Sequence, residues 1–189
     1  MEKVEIPPIK KVIAIASGSV IFNSLADPDY YTEPEFSEHD TSKCFIQNAI
    51  VLTLRDIFAD KLGRSGRATA PSDVSCYVQD IMYTAVDTEI LGGEGITVVE
   101  HPHGFLEMDD QTAVFCNSPG FPMREITADI ARPAIMIWNS SIWLGDLLDA
   151  RVEAMTKDYL AIPFPADDMK WDWPLFDSDT TIYIRKPTT

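Results

Sequence analysis

Short, mostly apolar runs alternate along the chain with longer segments in which apolar residues recur at three- and four-residue steps. A run of four or five mostly apolar residues is typical of a strand that is buried on both faces of a parallel sheet. Five runs have this form, and each predicts one strand: 12–16, 74–78, 96–99, 113–116 and 134–138.

Apolar periodicity between these runs predicts helices. The strongest pattern begins at Asp40 or Thr41, either of which can cap a helix, and ends at Gly63. Its buried face is expected to include Ile46, Ile50, Leu54 and Ile57. Shorter helices are predicted over 85–91, where Thr84 is the expected cap, and over 123–130 and 141–155, and Thr180–Arg185 is expected to be a final edge strand.

The regular alternation of strand and helix determines the fold class. Parallel neighbours need crossover connections, so the pattern predicts a three-layer α/β fold with a mostly parallel sheet and helices on both faces. A chain of 189 residues suits one domain. We expect its core over about residues 10–156 and an aromatic, acidic extension over 157–189. The acidic connection over 20–40 is long enough to form a lid.

Charge excludes several classes of partner. The chain has 15 basic and 30 acidic residues, a net charge of −15, which opposes binding to nucleic acid or to an anionic membrane. No apolar stretch approaches the roughly 20 residues that span a bilayer, and the N-terminus has no long apolar segment of the secretory type. We therefore expect a cytoplasmic or nuclear protein.

Polar residues follow four of the predicted strands. Ligands of parallel α/β sheets bind outside the carboxyl ends of the strands, so these residues are candidates for one binding site. An alternative stays open for each of them: a tight turn at the glycine, an Asx turn at the aspartate, a Pro/Gly turn after the fourth strand, or a helix cap after the fifth. The candidates are Gly18, Ser19, Asp80, Asn117, Asn139 and Ser140.

Metal and nucleotide motifs are weak or missing. His101 and His103 flank Pro102, but no third ligand stands at the spacing of a known site, so we predict no metal. The segment after the first strand has one glycine instead of G-x-G-x-x-G, and no Walker loop or nucleophile elbow occurs. A nucleotide-type ligand stays open, and the cofactor is not determined.

Four features in order along the chain resemble the "sensitivity to red light reduced" domain family, especially its fungal members. They are Gly18-Ser19 after the first strand, Gln47 within the first long helix, the segment Gln79–Thr84 (QDIMYT) after the second strand, and Asn139-Ser140 after the fifth. The resemblance covers about residues 10–145 and implies a Rossmann-like domain in proteins linked to light and circadian regulation, with no settled enzymatic activity. One departure is the segment 117–121 (NSPGF), where many members carry a Pro-His-Cys-type segment.

Three functions follow as alternatives. The first is a regulatory domain with a small-ligand crevice at the strand ends. The second is a nucleotide- or S-adenosylmethionine-dependent transferase that uses the same crevice. The third is an interaction module that acts through its acidic surface and through Trp171, Trp173 and Phe176, although these aromatics also suit a covering over their own sheet.

Overall fold

A computed structural model of the chain describes residues 6–21, 34–64, 74–117, 119–139, 149–164 and 180–187. Strands and helices alternate through these ranges, as the apolar pattern predicts. In chain order they are β1 (Lys11–Ile15), α1 (Pro34–Arg64), β2 (Ser75–Gln79), α2 (Ala85–Gly93), β3 (Ile96–Val98), α3 (His103–Leu106), β4 (Thr112–Cys116), α4 (Met123–Ile130), β5 (Ile135–Asn139), α5 (Ala150–Thr156), β6 (Tyr159–Pro163) and β7 (Thr180–Arg185).

The strands form one sheet in the order β3-β2-β1-β4-β5-β7-β6. The first five pair in parallel, whereas β7 runs antiparallel to both β5 and β6. The parallel part has the order 3-2-1-4-5 of doubly wound sheets, in which the strand order reverses between β1 and β4. Loops diverge at such a switch point and leave room for a ligand at the carboxyl ends of the strands.

Successive side chains of each strand point to opposite faces, and both faces are covered. Val12 and Ala14 lie in one buried cluster with residues of α1 and α2. Ile13 and Ile15 lie in a second cluster with residues of α3 and α4. A third cluster joins β5 to α4 and α5 on that second face. The predicted three-layer α/β architecture is therefore confirmed.

Helix α1 is longer than predicted and turned relative to the expected face. It begins at Pro34 instead of Asp40 or Thr41 and ends at Arg64, one residue beyond Gly63. Val51 and Phe58 are its buried apolar residues, while Ile46, Ile50 and Leu54 are only partly buried. Ile57 is 46% exposed, so its assignment to the core is wrong.

The end of the sheet also differs from the prediction. Strand β6 has no counterpart in the sequence analysis, and it forms the edge of the sheet. Strand β7 has the predicted bounds but lies between β5 and β6, so it is not an edge strand. Helix α5 covers the last part of the helix predicted over 141–155, and residues 141–148 lie outside the described ranges. Among the described helices, none is long and apolar enough to cross a membrane.

Candidate functional site

Four candidate positions lie at the same end of four neighbouring parallel strands, which we call the carboxyl edge. The register is fixed by the pairs Ile15–Gln79, Ala14–Phe115 and Cys116–Trp138. Continued past these pairs, it places Asp80, Ala16, Asn117 and Asn139 in one row across β2, β1, β4 and β5. Neighbouring strands are about 4.8 Å apart, so neighbours in the row are within reach of one small molecule.

The loop after β1 has an unusual backbone. Ala16 has a φ of 60° and Gly18 a φ of 71°, both in the left-handed region. This conformation costs a non-glycine residue about 1 kcal/mol or more and is found most often at functional sites. A Cβ on residue 18 would overlap the Cys44 sulfur on α1, so only glycine fits there. The single glycine in the loop after β1 is therefore required by its own backbone and by close contact with α1.

Asp80 anchors this loop to the end of β2. Its Oδ2 accepts a hydrogen bond from the Gly18 N–H at 2.8 Å. Its Oδ1 accepts one from the Met82 N–H at 2.8 Å, which is the Asx turn that the sequence leaves open as the alternative role. Asp80 thus holds two stretches of backbone that are 62 residues apart in the sequence.

Asp87, which the sequence analysis does not single out, holds the next part of the same loop. It is fully buried at the start of α2. The Ser19 hydroxyl donates to it at 2.8 Å, the Val20 N–H at 2.8 Å and the Thr84 N–H at 2.7 Å. Thr84 caps α2 as predicted, and with Asp87 it completes a capping box. Burial acts to raise the pKa of Asp87, but the hydrogen bonds from Thr84, Ser19 and Val20 outweigh burial and lower it.

These hydrogen bonds determine whether the loop after β1 can bind an anion. A phosphate-binding loop presents free backbone N–H groups to the anion. Here the Gly18 and Val20 N–H groups bind carboxylates, and the Ile21 N–H binds the Ser19 hydroxyl. Two carboxylates and a hydroxyl already accept from these three N–H groups, so none of the three is free to bind an anion.

A second polar group lies beneath the loop on the α1 side. The Tyr83 hydroxyl donates to Asn48 Oδ1 at 2.9 Å, and the Asn48 amide donates to the Gly18 carbonyl at 3.2 Å. Burial and the nearby Asp80 charge raise the pKa of Tyr83, so its hydroxyl stays protonated near neutral pH. Ser17 Oγ lies near this hydroxyl but, among the described residues, has no partner in hydrogen-bonding geometry.

Buried polar side chains are concentrated at this end of the sheet. Protein interiors normally bury few polar side chains. Among the described residues at the amino ends of the same strands, Thr112 is the only buried polar one. Thr180 belongs to the same end because it pairs with Asn139. The buried polar residues of the carboxyl edge are Ser17, Ser19, Asn48, Gln79, Asp87, Asn117, Asn139 and Thr180.

His101 is tied to the carboxyl edge through Gln79. The Gly104 N–H donates to Gln79 Oε1 at 2.8 Å, so the amide nitrogen of Gln79 faces His101 Nδ1, 3.3 Å away. An amide nitrogen can only donate, so His101 Nδ1 is placed to accept from Gln79. His103 Nδ1 lies 3.2 Å from the Glu100 carbonyl. No group of three or more metal-ligating side chains occurs within the described ranges.

The comparison with protein-family models identifies the lineage. The model of the SRR1 domain matches residues 1–171, which is most of the chain. The chain belongs to the SRR1 domain family. The matched segment contains β1 to β6 and every candidate site residue, so the resemblance stated from the sequence is confirmed, while its assignment to the fungal type stays a prediction. No curated protein and no solved structure matched the chain in the same comparisons.

Some of the site residues predicted for this SRR1 domain lie together at the carboxyl edge, and others do not. Gly18, Asp80, Asn117 and Asn139 are brought to one edge, and Ser19 turns inward to Asp87. Ser140, Trp171, Trp173 and Phe176 lie outside the described residues. So do residues 22–33 of the lid predicted over 20–40, whereas residues 34–40 form the start of α1 and are not part of a loop. Sequence reasoning missed Ser17, Asn48 and Asp87. Only Asp87 carries a usable signal, since Thr84-x-x-Asp87 has the spacing of a capping box.

Proposed function

We propose that this SRR1 domain is a regulatory module of the cytoplasm or nucleus that binds a small polar molecule at its carboxyl edge. One observation carries the proposal: buried polar side chains gather at the switch point of the sheet, and the Ser17 hydroxyl among them lacks a partner within the described residues. The left-handed backbone of Ala16, directly before Ser17, supports the same site.

The free-energy cost of burying the Ser17 hydroxyl without a hydrogen bond argues for a ligand. Leaving a buried hydroxyl without a hydrogen bond costs about 1–3 kcal/mol, and native proteins pair most such groups. A fold that needed this edge only for packing would be more stable with apolar residues there. A ligand that hydrogen-bonds to Ser17 and to the neighbouring row would recover the cost on binding.

The charge of the edge limits the ligand class. The carboxylates of Asp80 and Asp87 hold the β1 loop, and the net charge of the chain is −15. A neutral or cationic molecule with hydrogen-bonding groups fits this field, and a free phosphate does not. Of the two transferase cofactors considered, S-adenosylmethionine meets this requirement and a nucleoside triphosphate does not.

A thermal-shift panel with a matched pair of variants tests the proposal. The panel contains neutral, cationic and phosphorylated metabolites, with S-adenosylmethionine and ATP included. Ser17→Ala removes the unpartnered hydroxyl, and Ser75→Ala makes the same change at an exposed position at the amino end of β2. We expect neutral or cationic compounds to raise the melting temperature of the wild type and of Ser75→Ala, and to raise that of Ser17→Ala by less than half as much.

The Ser17→Ala protein alone provides an internal check. Among the described residues Ser17 Oγ has no partner in hydrogen-bonding geometry and only a loose contact with the Tyr83 hydroxyl, so this variant should unfold at nearly the same temperature as the wild type or higher. The proposal is wrong if no compound shifts the wild type, if the compounds that do so are phosphates, or if Ser17→Ala responds as fully as Ser75→Ala.

A further inference from the structure

Helix α2 carries exposed apolar side chains beside the face that packs on the sheet. Its inner face is buried through Asp87 and Leu91, as expected for a helix packed on a sheet. Val86, 46% exposed, and Ile90, 43% exposed, each precede one of these buried residues and lie one turn apart on one flank of the helix. The exposed Glu89 lies opposite the buried face, so the apolar flank borders an acidic residue.

The apolar surface continues into the turn before the helix. Ile81 is 91% exposed and Met82 is 46% exposed, and Met82, Val86 and Ile90 follow one another at four-residue steps. We call Ile81, Met82, Val86 and Ile90 the α2 outer face. The other exposed large apolar residues within the described ranges do not form such a group. Two of them are on α1 but three turns apart, and the rest are on other elements: Phe45, Ile57, Leu106, Phe121, Ile130 and Leu160.

The charges around the α2 outer face have one sign. Glu89 and Glu94 are exposed on or beside the same helix. Residues 68–123 contain nine Asp or Glu and no Lys or Arg, so this part of the chain supplies no cation of its own. Arg55 reaches the end of the helix from α1, but its guanidinium binds the Glu94 carbonyl at 2.7 Å and the Asp56 carboxylate at 3.0 Å.

We propose that the α2 outer face docks a helical segment of another protein that carries an apolar ridge flanked by Lys or Arg. Apolar residues at four-residue steps suit the ridge of an amphipathic helix, and the acidic surroundings select basic flanks. A second copy of this chain would bring a further −15 charge to the face, and an anionic membrane would be repelled in the same way.

The face is also well prepared for binding. The capping box fixes the first turn of α2, and the buried Asp87 ties that turn to the β1 loop. A partner therefore meets a surface whose backbone is already ordered, which reduces the entropy lost on association. The proposal does not depend on the ligand at the carboxyl edge, because it rests on exposed apolar side chains and not on the polar row.

Fluorescence anisotropy with a designed peptide tests the docking face on the full chain. The probe is a helical peptide of about 18 residues with Leu at three- and four-residue steps and Lys elsewhere, and its partner peptide has Glu in place of Lys. The test variant is Val86→Ser with Ile90→Ser, and the control is Leu106→Ser with Leu160→Ser, two exposed apolar positions on other elements. Melting temperatures verify that both variants are folded.

The expected results distinguish docking from charge attraction alone. The Lys peptide should bind the wild type and the control with the same Kd, and the test variant at least tenfold more weakly. Glu89→Lys should weaken binding severalfold at low salt and less at high salt. Equal Kd values for the test variant and the control, or equal binding of the Glu peptide, would overturn the proposal. So would a dimer of the wild type, seen by sedimentation, that dissociates in the test variant.

Discussion

Asp87 is a buried carboxylate, and among the described residues no cation hydrogen-bonds to it. Its charge is instead stabilised by four donor groups: the Ser19 hydroxyl, the Val20 N–H, and the N–H and hydroxyl of Thr84. Such an arrangement favours the charged form strongly enough to lower the pKa of the carboxyl in spite of burial. Asp87 therefore links the β1 loop to α2 as one unit.

Asp87→Asn should destabilise the chain by about 1–3 kcal/mol near neutral pH, because the amide nitrogen cannot accept from the donors that face it. The folded-state pKa of Asp87 lies below its ordinary value of 3.8. The stabilisation is thus complete well above that value, and it is lost as the pH falls through 3.8 toward the lower folded-state pKa. Urea unfolding at steps from about pH 7 to about pH 3 measures this difference.

Glu89→Gln is the matched control, since it makes the same chemical change at an exposed position of the same helix. It should alter the free energy of unfolding by less than about 0.5 kcal/mol. If the difference between wild type and Asp87→Asn stays constant down to the lowest pH, the stabilisation does not come from the ionised carboxylate.

At the residue scale, the sequence predicts positions better than roles. Gly18 and Asp80 can be placed at strand ends because short apolar runs end just before them. That they bind each other is a long-range contact across 62 residues, which no local pattern encodes. Ser17 and Asn48 are invisible in the sequence for the same reason: a serine after a strand and an asparagine in a helix become notable only when burial is known.

At the element scale, α1 shows that a pattern of apolar residues alone can give the wrong buried face for a helix. The reason is that polar residues can be buried too. Gln47 and Asn48 are buried on this helix beside Val51. Asn48 faces the core because its amide donates to the Gly18 carbonyl in the loop after β1. A pattern that counts only apolar residues cannot include them, so it places the buried face toward Ile57, which is half exposed.

Two adjacent substitutions on α1 test the observed face. Phe58→Ala removes a side chain that is 5% exposed and should cost about 3–5 kcal/mol in the free energy of unfolding. Ile57→Ala, one residue earlier, removes a half-exposed side chain and should cost clearly less, at most about 1 kcal/mol. Chemical denaturation measures both. Similar losses for the two variants, or a larger loss for Ile57→Ala, would contradict the orientation described for α1.

Strand β6 escapes prediction for a related reason. Its sequence, YLAIP, is short, ends in proline and lies at the edge of the sheet, where Leu160 and Ala161 are exposed. Edge strands lack the two buried faces that make central strands recognisable, and proline is common there. The bounds of β7 were predicted correctly, but its place between β5 and β6 was not, because that place depends on pairing with β6.

At the scale of the whole molecule, the fold class follows from the sequence and the strand order does not. Alternating strands and helices require crossovers and therefore a parallel sheet with two covered faces. The pairing of β1 with both β2 and β4, which creates the switch point, depends on contacts between distant segments. The candidate site could thus be predicted as an edge, but its buried polar residues and the carboxylates that hold the β1 loop required the structure.

Hydrogen exchange of the full chain, with and without the panel compound that gives the largest thermal shift, tests the carboxyl-edge site most directly. The account predicts slower amide exchange in the segments after β1, β2 and β4, around Ser17, Tyr83 and Asn117, because a bound molecule there stabilises these loops. Segments at the amino ends of the strands, around Gln111 and Pro133, should not change. Protection confined to those amino-end segments, or to residues 86–90 of α2, would contradict the account.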